Sequence, residues 1–346
     1  MKLSVCIITL NEEANIGRTL KSVQPLMADG QGEIIVVDSG STDKTVEIAE
    51  SFGAKVFTEP WKGFAAQKNS AIEKAQGEWI LSLDADEEVS VELKNEFKVI
   101  FEDLFPYSGP IFPEALRAKL NGVGAEGKIT PELERELKQH FDSPTEVAAR
   151  EATIKKMKRF QYLTTRSDMR DATRKIKASP LFNAERSGGL ELTAFWMPRK
   201  NYFLGRWIRR GGFYPDRKLR LLRKGQAVFQ PRLVHETVMT GGMTMTLRSP
   251  LLHHAYPTLS GYIDHMNKYS SLGAEMEIEK GRKGFSLINI VIRPWLTFIY
   301  NYIFRLGFLD GREGLLLHLY HAVYVTWKYA KVWELTRKHR SGTKMP

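Results

Sequence analysis

Residues 79–87 read Trp79-Ile80-Leu81-Ser82-Leu83-Asp84-Ala85-Asp86-Glu87. An apolar run of strand length ends in two acids spaced two apart. Side chains alternate along a strand, so Asp84 and Asp86 point the same way and are placed to share one divalent cation at the carboxyl edge of a sheet. The same acids also suit a solvated turn or the cap of a following helix. The flanking chain bears on that choice.

Upstream, Leu3 to Leu10 (LSVCIITL) is a near-continuous apolar run, followed by Asn11-Glu12-Glu13 and a helical pattern through Leu20 and Val23. A second apolar run, Glu33 to Val37, enters Asp38-Ser39-Gly40-Ser41-Thr42-Asp43 and then a helix carrying Val46, Ile48 and Ala49. A third short strand, Lys55 to Thr58, leads through Trp61-Lys62-Gly63 to a helix over roughly Ala65 to Ala75; the fourth strand ends in Asp84. Short strands alternating with amphipathic helices imply right-handed crossovers. The expected fold class is α/β, a Rossmann-like, mainly parallel sheet flanked by helices. Ligands of such sheets lie outside the carboxyl ends of the strands. The polar clusters 11–13, 38–43 and 84–86 all fall there.

TLNEEANI, VVDSGSTDKT, AAQKNSAI and LSLDADE, in this order and spacing, resemble the nucleotide-sugar domain of family 2 glycosyltransferases of the GT-A type. FYPDRKLRLLRKG, VHETV and GFLDGREG extend the resemblance to the branch that glycosylates the lipopolysaccharide inner core, including heptose glucosyltransferases. The likeness covers about residues 1–102 and 190–335. It implies a UDP-sugar donor, a Mg²⁺ or Mn²⁺ cofactor, and a glycolipid or lipopolysaccharide-core acceptor at the inner-membrane surface.

Residue by residue, the resemblance assigns the uridine to Asp38, framed by the turn Thr9, Leu10, Asn11 and Glu13; an Asx-turn is the alternative for Asp38, and Asp43 the better cap. Lys68 is expected near a phosphate or on a solvated helix face. Asp86 is the expected main metal ligand, with Asp84 turned toward the ribose or acting through water. Glu236 of Val234-His235-Glu236-Thr237 is the candidate base for the acceptor hydroxyl, with Asp216 as runner-up; Asp216 also suits a Pro-Asp turn paired with Arg217 or Arg220. His235 is a candidate contact for diphosphate or metal, or a structural histidine. Transfer to polyprenyl phosphate, or sugar-nucleotide binding without turnover, remain alternatives.

Composition bounds these readings. The chain has 346 residues and a formal charge of +11. Residues 199–224 hold ten Lys or Arg against the single acid Asp216, interleaved with Trp, Tyr and Phe. No nucleic-acid recognition module accompanies them, so an anionic glycolipid or membrane surface is the expected partner. Phe285–Phe304, interrupted by Arg293-Pro294, and Leu315–Trp333, carrying His318, His321, Lys328 and Lys331, fall short of a spanning helix. They suit amphipathic helices in the membrane interface, or core helices. The lone Cys6 fits a reducing compartment, and no signal peptide precedes Leu3, so a cytoplasmic, peripherally membrane-attached protein is expected. Gly-x-Gly-x-x-Gly after the first strand, the mark of a nicotinamide enzyme, does not occur.

The chain departs from the resemblance between Glu102 and Leu190, where helix starts at Thr130-Pro131-Glu132 and Ser143-Pro144-Thr145-Glu146 suggest a helical insertion. Within it, residues 150–177 carry ten basic residues and three acids. The expected organisation is a nucleotide-sugar half over 1–102, a basic helical insertion over 103–189, an acceptor and catalytic half over 190–284, and a membrane-associating helical region over 285–346.

Overall fold

The computed structural model describes residues 3–27, 32–101, 192–230, 237–281 and 285–341. The expected insertion, and the candidates His235 and Glu236, lie outside the described residues.

The first hundred residues follow the expected alternation: β1 (Leu3–Thr9), α1 (Ile16–Val23), β2 (Glu33–Asp38), α2 (Thr45–Ser51), β3 (Lys55–Thr58), α3 (Phe64–Lys74) and β4 (Trp79–Asp84). Strands β3-β2-β1-β4 pair in parallel. All seven residues of β1 and all six of β2 are buried, as a sheet covered on both faces requires. Alternation divides them: Leu3, Val5 and Ile7 join Ile16, Leu20 and Phe97 on one face, while Cys6 and Ile8 meet Ala71 and Ile72 of α3 on the other. After β4 come the short β5 (Glu87–Val89) and α4 (Val91–Val99), whose N-cap Ser90 accepts from Leu93 N at 3.1 Å.

Beyond β4 the sheet becomes mixed. The strands β6 (Leu192–Phe203), β7 (Arg206–Trp207), β8 (Asp216–Arg223), β9 (Ala227–Gln230), β10 (Thr237–Thr240), β11 (Met243–Thr246) and β12 (Leu251–Tyr256) follow in the chain. The sheet order continues β4-β8-β6-β12-β5, with β8 antiparallel to both β4 and β6 and β12 antiparallel to β5. Only Ala85 and Asp86 separate β4 from β5, so this path returns to where it began. The sheet therefore curls round its own carboxyl edge, and polar residues on β8, β6 and β12 are turned toward the acids that end β4.

Three helices complete the described chain: α5 (Leu259–Glu279), α6 (Arg293–Ile299) and α7 (Gly311–Ser341). π-helical turns, Ile288–Ile292 and Tyr300–Phe304, flank α6. Phe203, Ile208, Tyr262 and Leu317 form a third buried cluster that fastens α5 and α7 to β6 and the segment after it. Of the two apolar C-terminal stretches, the one in α7 is partly core through Leu317, Val325, Tyr329 and Val332, whereas that over 285–304 is largely exposed.

Candidate active site

The loops after β1 and β2 hold each other. Asn11, at φ 55°, donates its backbone N–H to Ser41 Oγ at 2.8 Å, and its Oδ1 accepts from Thr42 N at 2.8 Å. Glu12 N donates to Thr45 Oγ1 at 2.7 Å, Glu13 N to Asp43 Oδ2 at 3.1 Å, and Lys44 N to Glu13 Oε2 at 3.0 Å. Leu10 between them is exposed. Asp38 is buried; its Oδ2 accepts from Gly40 N and Ser41 N, both at 2.9 Å, and its Oδ1 from Ser41 Oγ. It thus makes the Asx-turn that the sequence left open, and Asp43 caps Thr45 N at 3.0 Å. The hydroxyls of Thr9 and Ser39 end buried at this edge, with no hydrogen-bond partner among the described residues. Polar groups left so are uncommon and suit contact with a polar ligand.

Asp84 sits among cations. Lys68 Nζ lies 2.8 Å from its Oδ1, and Arg220 Nη2 donates to its Oδ2. Arg220 also reaches Glu87 Oε1 at 2.8 Å, and Arg199 meets the same oxygen at 3.0 Å. Glu87 closes the ring by accepting from Asp84 N at 3.1 Å. Lys68, Arg220 and Glu87 are all buried, and charges removed from water persist only when paired in this way. Burial raises the Asp84 carboxyl, but Arg220 and Lys68 outweigh it and hold it well below the usual carboxylate range. Lys68 is neither solvated nor aimed at open space, because its ammonium belongs to Asp84.

Asp86 has a different partner. His253 Nε2, on β12, stands 3.3 Å from its Oδ2. Burial raises the Asp86 carboxyl and His253 brings it below its ordinary value. The opposite ring nitrogen, His253 Nδ1, lies 2.7 Å from Asn201 Oδ1 on β6. Asn201 Nδ2 is directed at Phe213 O (3.2 Å) and Asp216 Oδ2 (3.3 Å), both acceptors, which fixes the amide with Oδ1 toward the ring. Nδ1 then carries a proton toward Asn201, and Nε2 is the nitrogen that faces the carboxylate. That pairing is attractive with a proton or a metal ion between them. A carboxylate oxygen and an imidazole nitrogen, braced from behind by an amide, are a donor set that Mn²⁺ accepts and that leaves positions for water and phosphate oxygens. Among the described residues no group of three His, Cys, Asp or Glu side chains gathers as a ready metal cage.

Glu12 adjoins this edge. Burial, with Asp86, Asp43 and Asp84 assisting, raises its carboxyl against the hydrogen bond from Asn15. Asp216 opens β8 opposite Arg199 of β6. It takes Arg199 Nη2 at 2.6 Å and Nε at 2.9 Å, and Lys218 Nζ at 3.1 Å. Burial raises this carboxyl, yet Arg199 and Lys218 bring it to about 2. A carboxylate so acidic is a weak proton acceptor at neutral pH.

Arg199, Asn201, Arg220 and His253 of this network, with Glu87 and Lys218, were not singled out from sequence as site residues. The signal available was period two. Arg199 and Asn201 share one face of β6, and Asp216, Lys218 and Arg220 one face of β8. Charged residues repeating on one face of otherwise apolar strands mark a polar interior.

Residues 4–98 match the family described as Glycosyl transferase family 2. An uncharacterized glycosyltransferase of Rickettsia bellii is 54% identical over 100 residues, 29% of this chain and 33% of that protein. The alignment spans about a third of the length of the Rickettsia relatives. The lipopolysaccharide core biosynthesis glycosyltransferase LpsC of Rhizobium meliloti is 24% identical over 342 residues, 96% of this chain and 93% of the relative. Among solved structures, S. aureus TarS 1-349 in complex with UDP-GlcNAc shares 31% identity over 30% of this chain and 32% of that one. Its TM-score of 0.26 is too low to support more than that local likeness.

Proposed function

We propose that the chain, whose residues 4–98 match glycosyl transferase family 2, is an inverting, divalent-metal-dependent glycosyltransferase that moves a sugar, glucose in our reading, from a UDP-sugar to a lipopolysaccharide core or related glycolipid. The observation that carries this reading is the pairing of Asp86 with His253 Nε2 at 3.3 Å beside the Asp84 ion cluster. Full-length similarity to a lipopolysaccharide core glycosyltransferase supports the acceptor class.

Asp86 and His253 would hold Mn²⁺ or Mg²⁺, which when bound supplies charge neutralisation for the two phosphates of the donor and of the leaving diphosphate. Asp84 is already neutralised by Lys68 and Arg220. It therefore braces the turn that presents Asp86, and its outward edge is left for the ribose. Thr9 and Ser39 supply buried hydroxyls for the nucleoside. Transfer is one in-line displacement, so a base must take the acceptor hydroxyl's proton. Asp216 is committed to Arg199 and Lys218, which leaves the proposed base role to Glu236, directly before β10.

The test is calorimetric titration of UDP with and without Mn²⁺, alongside mass spectrometry of the host's core oligosaccharide with and without the protein. Metal-enhanced UDP binding together with a missing core hexose supports the proposal. Metal-independent binding with an unchanged core overturns it, and UDP binding without any change in glycan would favour a non-catalytic binding protein.

A further inference from the structure

The segment from Phe285 to Leu309 carries apolar side chains that the fold leaves outside. Leu287 is 69% exposed, Ile288 59%, Trp295 61%, Leu296 53%, Tyr300 58% and Phe304 73%. Ile288, Ile292, Leu296, Tyr300 and Phe304 recur every fourth residue, so they form one stripe along the helical run. The other side of the run is fastened to α7: Thr326 Oγ1 donates to Ile290 O at 3.4 Å, Arg293 Nη1 donates to the Tyr329 hydroxyl, and Pro294 is buried. The stripe is therefore held in place by the core and turned to the outside. Between residues 285 and 304 the only charged residue is Arg293, and no acid occurs. A shallow cavity of about 410 Å³, lined by Ile288, Leu296 and Tyr300 among others, opens along it. Contiguous apolar surface on this scale marks a partner.

The charge beside it indicates which partner. The basic loop after β6 is locked to the end of the stripe. Gly211 N donates to Arg305 O at 3.0 Å, and Arg209 N and Arg210 N donate to the buried Asp310 carboxylate at 3.1 and 2.7 Å. Gly211 permits this approach, since at φ 63° any added Cβ would lie 2.0 Å from the His318 ring. The contacts engage backbone groups, and the side chains of Arg206, Arg209, Arg210, Arg305 and Arg312 remain exposed where Phe304, Phe308 and Leu309 also emerge. Aromatic and aliphatic anchors edged by arginines are the composition of a surface that lies in the headgroup region of an anionic bilayer. The stripe itself carries no acidic residue, so a second copy of it would bring none to these arginines, and Glu313 beside them already pairs with Arg206 at 3.5 Å. No described helix is long and apolar enough to cross a membrane.

We propose that the stripe Leu287–Phe304 lies in the plane of an anionic lipid leaflet, with Trp295, Tyr300 and Phe304 inserted at the headgroup–acyl boundary and the 206–210 and 305–312 arginines on lipid phosphates. This deepens the glycolipid reading above and rests on it for its purpose, because the basic loop leads within a few residues to Asp216 at the site. The same orientation would set the site beside the membrane plane where a lipid-linked acceptor is found.

The experiment is co-sedimentation of the full chain with phosphatidylethanolamine vesicles containing or lacking phosphatidylglycerol. The parent is expected to pellet only with the anionic vesicles. Trp295→Ala with Phe304→Ala should weaken partition about tenfold or more, given the transfer of two aromatic side chains. Arg210→Gln with Arg312→Gln should weaken it by about fivefold per arginine and reduce its salt sensitivity. Both doubles alter exposed side chains, and unchanged thermal melting confirms that they fold. Pelleting that survives the aromatic double, or a parent that stays in the supernatant, overturns the proposal; so does light scattering that shows a dimer lost in the aromatic double. UDP titration of the same samples separates the two readings. Vesicle binding lost with UDP binding intact supports the surface. Vesicle binding without UDP binding would instead defeat the glycosyltransferase reading and leave the surface standing.

Discussion

His253 Nε2 lies 3.3 Å from Asp86 Oδ2, while Nδ1 of the same ring meets Asn201 Oδ1 at 2.7 Å. A backbone contact adds to the brace, since His254 N donates to Asp86 O at 3.1 Å. Asp86→Ala should abolish turnover and remove the Mn²⁺ dependence of UDP binding, because two phosphates would lose their shared cation. Asn201→Ala, which frees the ring without touching either proposed ligand, should weaken Mn²⁺-dependent UDP binding by about 10- to 100-fold. Calorimetry with and without Mn²⁺ checks both. An Asp86→Ala protein that keeps the parent's metal response would remove Asp86 from the site.

Glu236→Gln preserves shape while removing the proton acceptor. Transfer is expected to fall by about 10²- to 10⁴-fold, with UDP binding intact. Asp216→Asn should behave differently and lose stability ahead of chemistry, because Arg199 would lose its carboxylate. Rate measurements on folded samples of each variant decide the assignment, and a chemical defect confined to Asp216→Asn would transfer the role of base to that residue.

Arg220→Met should destabilise the fold by about 3–5 kcal/mol, since it leaves the carboxylates of Asp84 and Glu87 facing each other in the interior with one cation fewer. Urea unfolding measures it. A loss below about 1 kcal/mol would show that water reaches the cluster.

Acid should unfold the protein in two stages. His318 is buried with neither ring nitrogen hydrogen-bonded among the described residues. Burial, with help from His321, lowers it from 6.5 to about 4. The unfolded chain binds that proton first, so stability falls as pH drops from about 6.5 to 4, by roughly 3 kcal/mol. Asp216, lowered from 3.8 to about 2, contributes stability that is present above about pH 4. That contribution, about 2 kcal/mol, is lost as pH falls toward 2. Denaturant midpoints measured against pH should show both windows, and His318→Ala should flatten the upper one alone. An unaltered slope between pH 6.5 and 4 in that variant would mean that the His318 ring does not stay neutral in the folded protein.

The first four strands were legible in the sequence nearly to the residue, because everything that specifies them is local. Apolar runs of strand length, polar turns and helices with one apolar face recur in register, and a parallel sheet follows from their alternation. That the clusters at 11–13, 38–43 and 84–86 share one edge follows from the same topology. What each acid does there was not legible. Whether Asp38 braces its turn or faces a ligand depends on whether Ser41 and Gly40 reach it, and Lys68 could be told from a surface lysine only by finding Asp84 beside it.

The remainder belongs to tertiary structure. Arg199, Asn201, Arg220 and His253 enter the site because the sheet curls from β4 through β8, β6 and β12 back to β5, a closure made by pairings between distant segments that no local pattern announces. The stripe over 285–304 is apolar on nearly every side in the sequence, so periodicity could not say which side is buried. Packing against α7 takes one side and leaves the other out. Residue type and spacing determined that a sheet edge rich in carboxylates would form. Only the folded chain decided which carboxylate is neutralised by buried cations and which is left to face a histidine, since charge pairing depends on distances of about 3 Å that sequence separation does not encode.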